Sequence, residues 1–187
     1  IQTAIINGEK ETGITVMYMA SKMDSGNIIA QRSIPILDTD DNGSMFNKLS
    51  VLGRDLLMEV LPSIFDKTNP SIPQDEAKVT YAYNISHEQQ FINWNKTSKE
   101  IVNLIRGLAP NPTALTSIDG TIIKVFKAKE VSIDTKHTPG EVIKLNKEYP
   151  FLILIAFLIA STACCTINAT IKIDNNSVTI LSPPIRL

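Results

Sequence analysis

With 187 residues the chain can bury a real core in one domain or two. Its 43% hydrophobic and 20% charged residues are those of an ordinary globular protein, and a net charge of −1 excludes a generally basic nucleic-acid binder. The charge is unevenly spread. Residues 1–78 hold seven Lys and Arg against eleven Asp and Glu, a net −4, while residues 79–187 hold eleven against eight, a net +3. A basic half beside an acidic one points the second half toward an anion, although chance scatter gives the same split. The adjacent Cys164 and Cys165 fit neither a disulfide framework nor zinc spacing, and they read as small buried apolar residues. The start, Ile1-Gln2-Thr3-Ala4, has no charged signal-peptide region and no initiator Met. The chain is therefore expected to begin inside a longer gene.

Ile1–Asn7 reads as the end of a helix stopped by Asn7-Gly8. Gly13–Met19 and Asn27–Ile36 read as two buried strands, the second with Pro35 near its end. Asp38–Ser44 has turn and N-cap chemistry. It leads into an amphipathic helix, Met45–Phe65, with Phe46, Leu49, Leu52, Leu56, Leu57, Val60 and Leu61 at helical spacing. Lys67–Lys78, with Pro70 and Pro73 and no period, reads as a linker. Thr97–Leu108 is a second helix opened by a capping box, with Ile101, Leu104 and Ile105 inward. Short β-rich runs follow: Ala114–Ile118, Thr121–Lys127, Glu130–Ile133 and Gly140–Leu145. The Asp119-Gly120 pair is a hairpin signal between the first two, and the close spacing suggests a small barrel or sandwich.

The stretch from Glu11-Thr12-Gly13 to Met23-Asp24-Ser25-Gly26-Asn27 ends in a carboxylate on a Gly-containing loop between two strands. Strand-end loops are where α/β proteins place chemistry, and a partly desolvated carboxylate can handle a proton there. By spacing alone an Asp before Ser-Gly is more often a turn residue.

This segment resembles the formyltransferases that use 10-formyltetrahydrofolate, whose D-x-G motif supplies a catalytic Asp; the match is Asp24. The family's other two catalytic groups, an Asn and a His, lie before the segment that corresponds to Ile1-Gln2. Neither His87 nor His137 replaces them by motif, and both read as surface residues. The resemblance thus implies one third of the catalytic set, and a chain inactive by itself. Val79-Thr80-Tyr81-Ala82, Ile92-Asn93-Trp94-Asn95, Ile101–Arg106, Pro110-Asn111-Pro112, Gly120–Val125 and Pro139–Ile143 look like the C-terminal domain of methionyl-tRNA formyltransferases. Asn111 stands where that family usually has an aromatic residue.

The fold so implied is α/β, a truncated doubly wound formyltransferase domain, followed by a small OB-like β-barrel. The domains are 1–69 catalytic, 70–88 linker and 89–187 OB-like. The implied reaction moves a formyl group from 10-formyltetrahydrofolate, with no metal, to the amino group of initiator methionyl-tRNA. The expected protein is a cytoplasmic monomer. Arg106, Lys124 and Lys127 are candidate tRNA contacts, since Lys and Arg neutralise phosphates. On a strand Lys124 and Lys127 would face opposite sides, and solvated surface lysines are the competing reading. Trp94 reads as a core plug before a base-stacking platform. A non-catalytic tRNA-binding fragment and a pseudogene product are the alternatives.

From about residue 148 the pattern departs from that family. Phe151–Ile167 is uncharged, and a frameshift near Lys147–Pro150 would explain both this run and the lost basic end. A membrane helix competes, but 17 residues reach only ~25 Å against a ~30 Å hydrocarbon core, and the Ile, Thr and Phe content suits strands.

Overall fold

A computed structural model describes residues 1–118, 120–132, 138–145, 152–157, 165–170, 172–174 and 177–180. They divide into two compact units. The first holds Ile1, Glu9–Asp40 and Ser44–Tyr83; the second holds Gln2–Gly8, Asp41–Gly43 and the chain from Asn84 on.

In the first unit, β1 (Glu11–Met17) and β2 (Ile28–Pro35) form a two-stranded antiparallel sheet. Gly13 faces Ser33 in the register, and a Cβ at Gly13 would lie 2.5 Å from the Arg32 carbonyl oxygen. The expected strands are found, but they are not buried: β1 has no fully buried residue, and Ile29 is the buried residue of β2. A two-stranded sheet covered by α2 (Asn42–Phe65) keeps much of its surface open. The helix lies against β1 at Gly53, where a Cβ would sit in ordinary contact with the Ile14 side chain.

Met45, Leu49 and Leu56 are the buried residues of α2, whereas Phe46 is 60% and Leu57 43% exposed. At about 100° per residue Met45, Leu49, Leu52 and Leu56 share one stripe, while Phe46 and Leu57 fall about 100° to its side. The seven-residue apolar set of the sequence is wider than the face that packs.

Before the helix, Asp40 is buried and accepts hydrogen bonds from the Leu37 N–H, the Ser44 hydroxyl and the Lys48 ammonium. Burial pushes its carboxyl up. The bonds from Lys48, Leu37 and Ser44 outweigh that and hold it below the ordinary value of 3.8.

In the second unit, α1 (Gln2–Ile6) packs on α3 (Ser98–Leu108). The contact depends on Gly107, where a Cβ would stand 2.6 Å from Ile6 Cγ1.

The capping box is as expected. Thr97 Oγ1 accepts from the Glu100 N–H, and the Glu100 carboxylate accepts from the Thr97 N–H. Ile92, Ile101, Ile105, Leu108, Ala114, Ile123 and Val125 form the core, and Trp94 packs against it with its indole N–H donating to Thr116 Oγ1. Leu104, expected inward, is half-buried at its edge.

The strands β3 (Ala114–Ile118) and β4 (Thr121–Val125) pair antiparallel, with Ile118 opposite Thr121 and Gly120 at φ +80, as a tight two-residue turn requires. They join β10 (Ser177–Ile180) and β9 (Lys172–Asp174) in a sheet of order β3-β4-β10-β9. A second sheet has the order β5-β8-β7-β6, from Glu130–Ser132, Cys165–Thr170, Leu152–Phe157 and Val142–Leu145.

The apolar run therefore contributes all of β7 and the start of β8, which pair antiparallel. Among the described residues no helix is long and apolar enough to cross a membrane. His137, Cys164, the Lys147–Pro150 junction and the end from Leu181 lie outside the described residues.

Candidate functional site

The loop joining β1 to β2 carries Asp24, exposed and in the left-handed region at φ 56. Two features hold it there. The first is Gly26, where a Cβ would lie 1.7 Å from the Tyr18 carbonyl oxygen, so that only glycine lets the two ends of the loop close. The Tyr18 N–H donates to the Asn27 carbonyl at 3.0 Å across the same closure.

The second is the segment 71–74, expected as part of a linker. Ile72 exchanges two backbone hydrogen bonds with Ile28, at 2.7 and 2.9 Å. Asn27 Nδ2 donates to Ser71 Oγ, and Gln74 Nε2 donates to the carbonyls of Asp24 (2.8 Å) and Gly26 (2.7 Å). A surface pocket of about 400 Å³ opens beside the loop, lined by Tyr18, Met19, Ala20, Ser25, Gly26, Asn27 and Ser71. This strap was not legible in the sequence, because Ser71–Gln74 has neither period nor motif.

The other candidates belong to the second unit. Arg106 is half-buried on α3 and its Nε donates to Asn103 Oδ1 at 3.0 Å. Lys124 is exposed on β4 opposite Leu115, and Lys127 is exposed two residues past the strand. Because β4 ends at Val125, strand alternation does not put Lys124 and Lys127 on opposite faces. His87 is exposed and meets the Phe91 ring edge-on at 5.4 Å. No group of three or more His, Cys, Asp and Glu that could hold a metal occurs among the described residues.

Comparison with known proteins gives the class first. Residues 1–61 match the family described as formyl transferase, and residues 84–156 match the formyl transferase C-terminal domain. The chain thus carries segments of both formyl transferase domains. The second match reaches residue 156, so it extends into the apolar run that the motifs alone leave unmapped.

Among individual relatives, the chain is 50% identical over 148 residues to the methionyl-tRNA formyltransferase of Staphylococcus aureus strain MW2, covering 79% of this chain and 48% of that protein. With the strain Newman enzyme the identity is 49% over the same coverage. The resemblance to methionyl-tRNA formyltransferases is therefore shown over most of the chain, which spans about half the length of these relatives.

The solved structures agree on a formyltransferase-like α/β fold. An N-formyltransferase from Helicobacter canadensis, in complex with folinic acid and dTDP-3-aminofucose, matches with TM-score 0.63 and 29% identity over 90% of this chain and 58% of that one. HypX from Aquifex aeolicus matches in fold with TM-score 0.66 at 20% identity, over 91% of this chain and 30% of that one.

Proposed function

We propose that the chain is part of an enzyme that transfers the formyl group of 10-formyltetrahydrofolate to the amino group of initiator methionyl-tRNA. The observation that carries this reading is the built D-x-G loop, with Asp24 exposed and its backbone held by Gly26 and by the strap, in a chain 50% identical over 148 residues to a methionyl-tRNA formyltransferase. In the reaction the amine bonds to the formyl carbon and loses a proton, and the folate nitrogen takes up a proton and leaves as its own bond to the formyl carbon breaks. Asp24 is the group we assign to manage the proton. Support for the donor comes from the H. canadensis relative, solved with folinic acid.

We read the second unit as the OB-like domain that holds the tRNA, with Lys124, Lys127 and Arg106 near phosphates; its two four-stranded sheets and exposed lysines support this. We further propose that the enzyme of which the chain is part works as a monomer in the cytoplasm.

The test joins this chain to the amino-terminal half of the S. aureus MW2 relative and measures formyl-methionyl-tRNA formed from 10-formyltetrahydrofolate. The fusion is expected to turn over, and Asp24→Asn to lower kcat on the order of 100-fold or more with tRNA binding kept. Full activity in the Asp24→Asn fusion would overturn the assignment. A fusion that binds tRNA without turnover would favour a non-catalytic role.

A further inference from the structure

We propose that Gln74 is the positioning residue of the Asp24 loop. Its side-chain amide has two hydrogens, and the two acceptors are the carbonyls of Asp24 and Gly26, at 2.8 and 2.7 Å. The first carbonyl belongs to the peptide plane that follows Asp24 and the second to the plane that follows Gly26, so one amide ties the backbone leaving Asp24 to the closing end of the loop. No other common side chain of this length supplies two donors from one nitrogen without a charge.

The need for such a clamp follows from local strain. Asp24 is a non-glycine residue at φ 56, a conformation that costs free energy unless its surroundings enforce it. Gly26 closes the loop at its far end, and the Ile28–Ile72 hydrogen bonds bring the strap alongside. Gln74 is half-buried, and its bond to the Gly26 carbonyl is the partly buried one of the two.

The inference rests on the reading of Asp24 as the proton-handling carboxylate, and the experiment separates the two. In the fused enzyme described above, Gln74→Met keeps length and volume but removes both donors. Gln74→Glu puts a carboxylate against two carbonyl oxygens, and protonating the introduced carboxyl restores one donor.

The expected result for Gln74→Met is a fall in kcat on the order of 10- to 100-fold, with KM for methionyl-tRNA within about twofold. The kcat of Gln74→Glu relative to Gln74→Met should rise as pH falls. In the 187-residue chain, amide exchange at Tyr18 and Ile28 should quicken in Gln74→Met while α3 stays protected.

If Asp24→Asn abolishes turnover but Gln74→Met leaves kcat unchanged, Gln74 is no positioning residue and the proposal falls alone. If KM rises while kcat and α3 protection fall, Gln74 merely holds the fold and the proposal also falls. If Asp24→Asn is itself fully active, the functional reading falls first and the exchange data decide only whether the clamp exists.

Discussion

Gly26 and Tyr18 approach so closely that a Cβ on residue 26 would meet the Tyr18 carbonyl oxygen at 1.7 Å. The obstacle is backbone, so no rotamer change relieves it. Gly26→Ala is expected to displace the loop and to cost roughly 1–3 kcal/mol, the range for overpacking a tight site. Urea unfolding of the 187-residue chain measures it. A midpoint equal to wild type would show that the loop yields freely.

A second tight contact gives an opposed pair of effects. Gly107→Ala in the last turn of α3 should gain at most roughly 0.5–1 kcal/mol from reduced backbone entropy of the unfolded chain. Against this, the new Cβ would lie 2.6 Å from Ile6 Cγ1 and 3.3 Å from the Gln2 carbonyl, so α1 must shift as a whole. Overpacking costs about 1–3 kcal/mol, which outweighs the gain, and the variant should be less stable. Its hydrogen exchange should quicken in α1 before α3. A more stable variant would mean that α1 is only loosely attached.

The capping box of α3 makes part of the stability acid-sensitive. The hydrogen bonds from the Thr97 hydroxyl and N–H, then that from Lys96, lower the Glu100 carboxyl from its ordinary 4.5 to about 2. A carboxyl lowered on folding stabilises the protein fully above the unfolded value and loses that contribution as pH falls through the folded one. The loss should thus run from pH 4.5 down to about 2. Glu100→Gln should flatten it, and Thr97→Ala should cost ~1 kcal/mol at neutral pH. Denaturation midpoints at pH 7, 4.5 and 2.5 in the three proteins decide this; an unchanged acid slope in Glu100→Gln would refute it.

Asp40 should respond differently to two substitutions. Asp40→Ala leaves the Leu37 N–H and the Ser44 hydroxyl without this acceptor at a buried position, and roughly 1–3 kcal/mol is expected to be lost. Asp40→Asn keeps one acceptor oxygen and loses the Lys48 pair; because Lys48 is 43% exposed and remains hydrated, the cost should be smaller. The wild-type contribution should fade below pH 3.8, since the carboxyl is lowered in the fold. Thermal unfolding of both variants at pH 7 gives the order, and Asn costing as much as Ala would show that charge, not hydrogen bonding, is what matters.

What the sequence revealed depended on whether the signal was local. The Thr97–Glu100 box, the Gly120 turn and the Asp24 loop each need only a few neighbouring residues, and they appear where expected. The grip of Gln74 on Asp24 spans 50 positions, and the seat of α1 on Gly107 spans about 100; nothing in a single segment encodes such pairs. Apolar periodicity in α2 overstated burial, because Phe46 and Leu57 carry the pattern yet stay exposed at the side of the buried stripe.

The basic half of the chain makes a last expectation measurable. Lys124 and Lys127 are exposed, so removing either should disturb the fold little and act mainly on a phosphate partner. Lys124→Ala and Lys127→Ala are each expected to weaken tRNA binding by the chain and to lower the slope of log affinity against log salt by about 1. Arg106 should behave otherwise. Its Nε donates to Asn103 Oδ1, and Asn103 is buried where α3 meets the turn at Gly8. Arg106→Ala should therefore lower the unfolding midpoint as well as the affinity. Filter binding across a KCl series, beside thermal melts, separates the two behaviours. Lysine variants with an unchanged salt slope would show that neither lysine meets a phosphate.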